Sequence, residues 1–221
     1  MTLVVFCRRP APGIGKQRIA ADLGAATTFA LTRHLLATTL EDAAAWPGPV
    51  IVAPADAADA EWAGALLTRP FDVLPQPVGN LGERICAVDH AARAAGHAHL
   101  IYIGSDAPTL TDAYFAKART TLAACDVVLG PADDGGVTLM GAACPWPDLA
   151  ALPWSSAELA GALELLCTRQ GLTVKRLESR YDIDRVDNLP RLRTDLRDDP
   201  RPARRELLRW LDAEGLRQAG S

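Results

Sequence analysis

The sequence has no excess of basic residues: 23 Lys and Arg stand against 27 Asp and Glu, a formal net charge of −4 over 221 residues. That balance excludes a strongly basic footprint for nucleic acid or a membrane surface, and leaves room only for a local cationic cluster that binds phosphate. Long apolar runs are also missing, and none approaches the roughly 20 residues that a membrane-spanning helix needs. No secretory leader is expected, because a strand-like segment begins at Leu3. These absences predict a cytoplasmic protein. The five cysteines, Cys7, Cys86, Cys125, Cys144 and Cys167, show no CxxC or CxxxH spacing, and their odd number predicts free thiols. His90, His97 and His99 fall in or beside a helix-like stretch, so soft-metal ligation is not expected from them. Aromatic residues make up only 5% of the chain, and the abundant alanine suits a shell of helices packed on a sheet.

Short aliphatic runs alternate with longer Ala/Leu segments of helical spacing. Strands are expected at 3–6, 50–52, 71–74, 100–103 and 127–129, with helices at 17–39, 61–67, 81–95 and 110–124 between them. This alternation predicts a mostly parallel sheet with helices on both faces. After residue 131 the pattern changes. Asp133-Asp134-Gly135-Gly136 is a turn signal, and Val137-Thr138-Leu139-Met140 follows too soon for a crossover helix, so an antiparallel excursion is expected there. Ser155-Ser156-Ala157-Glu158 has capping-box spacing and predicts a helix running to about Arg169. A strand at 172–174 and a C-terminal helix at about 203–217 complete the chain, with Leu207, Leu208, Leu211 and Ala213 as the apolar stripe of that helix. The stripe suits docking on the domain or pairing in a homodimer. One α/β domain over 1–221 is the simplest organisation.

Several segments carry chemistry. Leu100 to Pro108 is an apolar strand that ends in small residues and one carboxylate, Asp106. Ligands of doubly wound sheets bind beyond the carboxyl ends of strands, where an Asp can ligate a hard divalent cation; the plainer role is a cap for the next helix. The first loop, Arg8 to Arg18, packs four cations and two glycines between a strand and a helix and forms an anion site, or else a solvated basic turn. It lacks both the P-loop and the GxGxxG spacing, which disfavours those two sites. Gln76 and Gly82 lie in a further strand-to-helix loop where an amide and a bare backbone suit a base and ribose, or an ordinary turn. Asp133 and Asp134 beside Gly135 and Gly136 suit an acceptor hydroxyl or a base, and equally a hairpin turn. Asp182 and Asp184 place two carboxylates on one side of an extended segment, which suits a metal ligand or a helix cap near Leu189. Trp154-Ser155-Ser156 suits an acceptor wall.

Read in order, Phe6, Arg8, Pro10, Pro12, Gly13, Lys16, Gln17, Arg18 and Ile19, then Leu81 to Arg84, Gly104 to Pro108, Val128 to Gly136, Trp154 to Ser156 and Asp182 to Asp184 form a series from about residue 3 to 192. This series resembles the DUF2064 family, whose members include glycosyltransferases linked to arsenosugar biosynthesis within the nucleotide-diphospho-sugar transferase superfamily. The resemblance implies a GT-A, Rossmann-like fold that binds a nucleotide sugar or a nucleoside triphosphate with Mg²⁺ or Mn²⁺. It implies Asp106 and Asp184 as metal ligands, Pro12, Gly13, Lys16 and Arg18 at the phosphates, and Gln76 and Gly82 at the base and ribose. Gly135, Gly136 and Trp154 would face a small-molecule acceptor, with Asp106, Asp133 and Asp134 as catalytic carboxylates.

The chain departs from the family pattern at Val137, where Tyr is usual, at Gln17 for Thr, at Arg8 for Lys and at Ser156 for Thr. The expected function is a metal-dependent glycosyltransferase. Nucleotidyl transfer on the same fold is the alternative, and a non-catalytic nucleotide-binding module is the third reading.

Overall fold

The computed structural model describes residues 1–215. Seven strands form one sheet: β1 (Thr2–Cys7), β2 (Val50–Pro54), β3 (Asp72–Val73), β4 (Leu100–Ile103), β5 (Val127–Pro131), β6 (Val137–Ala142) and β7 (Val174–Arg176). The helices are α1 (Gln17–Ala45), α2 (Ala60–Gly64), α3 (Leu81–Ala94), α4 (Asp112–Leu122), α5 (Leu159–Arg169), α6 (Asn188–Asp195) and α7 (Pro202–Ala213). Strand order is β3-β2-β1-β4-β6-β5-β7. Pairing is parallel everywhere except at β6, which runs antiparallel to both β4 and β5. The expected antiparallel excursion is therefore the β5–β6 hairpin.

The apolar runs form central strands because both faces of the sheet are covered. Leu3 and Val5 face one core layer with Phe115, Ala118 and Leu122 of α4. Val4 faces the other, with Ile85 and Val88 of α3 and Leu163 of α5. The chain winds outward from β1 through β2 to β3, then returns to start β4 on the other side of β1. The carboxyl ends of β1 and β4 thus flank the point where strand order reverses, the usual ligand crevice of such sheets. A third apolar cluster joins Ile19, Leu31 and Leu35 of α1 to Tyr181, Ile183, α6 and α7.

Several boundaries differ from the sequence expectation. The helix expected from Ser155 begins at Leu159, because Ser155 takes a left-handed φ of 64° and Ser156 accepts a hydrogen bond from the Glu158 N–H in a turn. The third and seventh strands lie at the sheet edges, where β3 is only two residues long and β7 starts later than expected. Helix α1 extends beyond the expected end and is broken at Gly24, whose φ of 77° is non-helical. Of the α7 stripe, Leu207 and Leu211 are buried against α1 and Leu208 is half-buried, but Ala213 points outward. Leu207 and Leu211 of its apolar face are covered within the chain. The expected end of this helix, 216–217, lies outside the described residues.

Candidate active site

The loop after β1 winds through positive φ at Gly13 (75°), Gly15 (74°) and Lys16 (48°) before α1 begins. Glycine meets the first two values without steric cost, whereas Lys16 is held in a conformation that side-chain-bearing residues seldom adopt. This winding turns Lys16 back over the sheet. Its Nζ donates to Asp106 Oδ2 at 2.7 Å and to Asp184 Oδ1 at 2.5 Å. Asp106 follows β4, the strand beside β1, so the switch in strand order brings the two loops together.

The segment 182–184 is brought in by a main-chain bond, from the Ile183 N–H to the Asp106 carbonyl oxygen at 2.9 Å. Ile183 is fully buried, and Asp182 and Asp184 flank it on the side of the crevice. One oxygen from each of Asp106, Asp182 and Asp184 lies within 4.8 Å of the others. Burial, reinforced by the charges of Asp106 and Asp184, pushes the Asp182 carboxyl up to about 7. For Lys16, burial works against the ammonium, but the charges of Asp106 and Asp184 outweigh it and raise the pKa. Three convergent carboxylates form a hard, all-oxygen donor set, the kind that suits Mg²⁺ or Mn²⁺ rather than a soft metal.

Asp106 is not the cap of the following helix, α4, which is capped by Thr111, whose Oγ1 accepts from the Tyr114 N–H at 3.2 Å. Neither Asp182 nor Asp184 caps a helix. Instead, Asn188 Oδ1 accepts from the Asp184 and Arg185 N–H groups at 3.2 and 2.8 Å and holds that loop.

The carboxylates open onto a cavity of about 570 Å³. Arg8, Arg9, Lys16 and Arg18 line it together with Asp134, Gly136, Ser155 and Ser156. Of the residues assigned from sequence to phosphates, Lys16 and Arg18 reach this space. Pro12 and Gly13 are exposed in the loop and do not line it. A second cavity of about 230 Å³ shares Asp106, Val137, Leu159 and Asp182 with the first and is walled by Trp154.

Gln76, Gly82, Asp133 and Gly135, by contrast, line neither cavity. Gln76 is buried, and both ends of its amide are engaged: Nε2 donates to the Ala53 carbonyl at 2.7 Å and Oε1 accepts from Arg84 Nη1 at 3.2 Å. The amide is thus turned into the protein and faces neither cavity. Gly82 sits inside α3 because a Cβ there would meet the Leu149 carbonyl oxygen at 2.1 Å and Trp154 Nε1 at 2.7 Å. It is a packing glycine rather than a ribose contact. Asp133 turns away to pair with Arg191 at 2.6 Å. Gly135, at φ 89°, packs against the Ala157 carbonyl oxygen, while Asp134 Oδ1 closes the hairpin by accepting from the Gly136 N–H at 3.0 Å. Asp182 joins the cluster beside Asp184, although the family resemblance implies only Asp184 of the pair as a metal ligand. Arg8 stands in the family series and the cation count of its loop, Arg9 in the cation count alone, and Thr32 of α1, which also lines the cavity, carries no sequence signal.

The DUF2064 family model, described as an uncharacterized protein conserved in bacteria, matches residues 36–156. The chain belongs to the DUF2064 family. The matched span includes Asp106 and the hairpin but neither Lys16 nor Asp184. No curated protein matches the chain. Among solved structures, a protein from Desulfovibrio desulfuricans G20, provisionally named a nucleotide-diphospho-sugar transferase, is 27% identical over 96% of this chain and 95% of its own, with a TM-score of 0.82. A cytidylyltransferase from Leptospira borgpetersenii serovar Hardjo-bovis is 9% identical over 99% and 97%, with a TM-score of 0.54. The 4-diphosphocytidyl-2C-methyl-D-erythritol synthase of Anaerococcus prevotii DSM 20548 is 12% identical over 82% and 92%, with a TM-score of 0.50. The last two likenesses establish the fold alone: this DUF2064 chain has the GT-A, nucleotidyltransferase-like α/β architecture. Among the described residues, no helix is long and apolar enough to cross a membrane.

Proposed function

We propose that this DUF2064 protein is a metal-dependent glycosyltransferase that takes a nucleoside diphosphate sugar as donor and passes the sugar to a small-molecule acceptor. The observation that carries the reading is the convergence of Lys16, Asp106, Asp182 and Asp184 at the edge of a cavity lined by further cations. The name of the Desulfovibrio relative points to the same chemistry.

Asp106, Asp182 and Asp184 would hold the divalent cation. When bound, such an ion neutralises charge that builds up on the departing diphosphate. Lys16 and Arg18 bind the phosphate oxygens from the loop side, where charge-assisted hydrogen bonds are strongest. An acceptor oxygen forms a bond to the anomeric carbon of the sugar, the bond from that carbon to the β-phosphate oxygen breaks, and the nucleoside diphosphate leaves. Asp134, which also lines the cavity, takes the acceptor proton in an inverting reaction.

The same cavity supports a second reading, nucleotidyl transfer, and one observation favours it. Four cations, Arg8, Arg9, Lys16 and Arg18, line a single cavity, more positive charge than a diphosphate requires. In that reaction an acceptor phosphate oxygen attacks the α-phosphorus of a nucleoside triphosphate and pyrophosphate departs toward these residues.

Calorimetric titration of nucleoside di- and triphosphates and nucleotide sugars, with and without Mn²⁺, tests both. Mn²⁺-dependent binding of a nucleotide sugar, with release of the nucleoside diphosphate on turnover, is the expected result. Preference for a triphosphate with pyrophosphate release selects the second reading. Absence of Mn²⁺-dependent binding by any member of the panel overturns both.

A further inference from the structure

We infer that the 230 Å³ cavity beside the carboxylates is the acceptor pocket and that it takes a compact apolar or aromatic group rather than a polyhydroxylated one. The inference rests on the proposed function insofar as Asp106 and Asp182 hold the reacting end of the site, and it goes further by naming the class of acceptor.

The wall carries the argument. Phe6, Leu81, Ile85, Val137, Met140 and Leu159 supply apolar surface from β1, α3, β6 and α5. The polar side chains among them have already committed their protons inward. Tyr102 donates its hydroxyl to Asp89 Oδ1 at 2.6 Å, Thr138 donates to the Gly130 carbonyl at 3.2 Å, and Trp154 Nε1 donates to the Leu149 carbonyl at 2.9 Å. Each of these bonds is anchored in the fold. Asp89 is itself buried and tied to Arg93 Nε at 2.8 Å, and the Trp154 indole sits over Gly82, where no Cβ fits.

A sugar ring would bring several hydroxyls against side chains with no donor to offer, and burying a hydroxyl without its partners is costly. Sites that select hydroxyls place matching groups for them. Here the remaining polar side chains are the carboxylates Asp106, already paired with Lys16, and Asp182. A cavity of about 150 Å³ lined by apolar side chains holds a benzene ring, so this one has room for a single ring with a short substituent. A ligand of that shape lays its apolar body against Trp154 and Met140 and points its reactive oxygen back to Asp106, where the two cavities meet.

The test is calorimetry on the full chain with Mn²⁺ and three probes: pyrophosphate, phenyl phosphate and glucose 1-phosphate. Pyrophosphate reports on the phosphate and carboxylate half alone, so its failure to bind overturns the proposed function and this inference with it. With pyrophosphate bound, phenyl phosphate is expected to bind at least tenfold more tightly than glucose 1-phosphate. Equal affinities, or a preference for the sugar phosphate, overturn the inference and leave the proposed function standing. Leu81→Trp, which fills the pocket from the half-buried start of α3, is expected to abolish the phenyl preference with pyrophosphate binding unchanged. Trp154→Ala, which removes one wall, serves as the second variant and is expected to reduce the preference severalfold. A phenyl preference that survives in both variants while pyrophosphate still binds places the aromatic group elsewhere and overturns the assignment.

Discussion

Ile183 donates its main-chain N–H to the Asp106 carbonyl oxygen at 2.9 Å while its side chain is fully buried in the cluster shared by α1, α6 and α7. One residue thus fixes the spacing of all three carboxylates, since Asp182 and Asp184 are its neighbours and Asp106 is its hydrogen-bond partner. Ile183→Ala keeps the N–H but removes the anchor. It is expected to cost about 2–5 kcal/mol of stability, the usual range for truncating a buried aliphatic side chain. Mn²⁺ affinity should fall with it, because the loop is no longer held at one distance. Urea unfolding and Mn²⁺ titration measure the two effects. Full Mn²⁺ affinity in a destabilised variant would separate the anchor from the site.

Asp182 makes stability depend on pH in an unusual direction. Its carboxyl is pushed up from 3.8 to about 7, first by burial and then by Asp106 and Asp184. The folded protein therefore keeps a proton that the unfolded chain releases above about pH 4. The contribution is fully present below that pH and is lost as pH rises through 7. In chelator, Asp182→Asn is expected to match the wild type near pH 4 and to exceed it in melting temperature at pH 8, with the gap opening between. A constant gap across the range would mean that Asp182 does not titrate there.

Lys16 is the cationic partner that balances this cluster. Its ion pairs are partly exposed, with Asp106 and Asp184 side chains at 33% and 40%, so solvent screening limits their worth to about 1 kcal/mol. Lys16→Met is expected to lose about that much in chelator at pH 8 and to lose pyrophosphate binding more severely, because the loop cation nearest the carboxylates is gone. Mn²⁺ should restore the stability of the variant by supplying positive charge to the same oxygens, but it should not restore pyrophosphate binding fully. Thermal melts with and without Mn²⁺ and calorimetry check the pair of outcomes.

The fold was more legible in the sequence than the site. Runs such as Leu3 to Phe6 and Leu100 to Ile103 are buried on both faces of a sheet, so their composition alone marks them as central strands, and the rapid return after Asp133 to Gly136 marked the hairpin. Edge elements were poorly marked, because two residues of β3 have little burial to impose a pattern. At the site, Lys16, Asp106 and Asp184 stood out by their place in loops that the sequence pattern sets between strands and helices. Gln76 and Gly82 stood out for the same local reason, yet their roles depend on partners far along the chain: Ala53 and Arg84 for the amide, Leu149 and Trp154 for the glycine. Such long-range packing leaves no local trace. Asp133 and Asp134 are adjacent and chemically identical, and only the position of Arg191 decides which one leaves the cavity.

The strongest dependence of the site on remote packing runs through Arg204 of α7, which is fully buried. Its guanidinium binds Asp42 Oδ2 at 2.6 Å, Glu41 Oε2 at 2.8 Å and the carbonyl oxygens of Thr38 at 2.5 Å and Pro108 at 3.1 Å. Pro108 lies two residues after Asp106, so the end of the chain holds the loop that carries the candidate metal ligand. Burial pushes the Asp42 carboxyl up to about 6 even though Arg204 and Arg201 oppose the shift. Arg204→Met would leave that carboxylate without its main counter-ion. Removing one partner of a buried pair typically costs about 3–5 kcal/mol, much of it from the charge left behind. A double variant, Arg204→Met with Asp42→Asn, should therefore recover a substantial part of the loss in urea unfolding, although it restores no contact to Pro108. Mn²⁺ affinity should stay reduced in both variants, since the carbonyl that Arg204 held is free in each. If the double variant is as unstable as the single one, the cost lies in the lost main-chain contacts and not in the stranded charge.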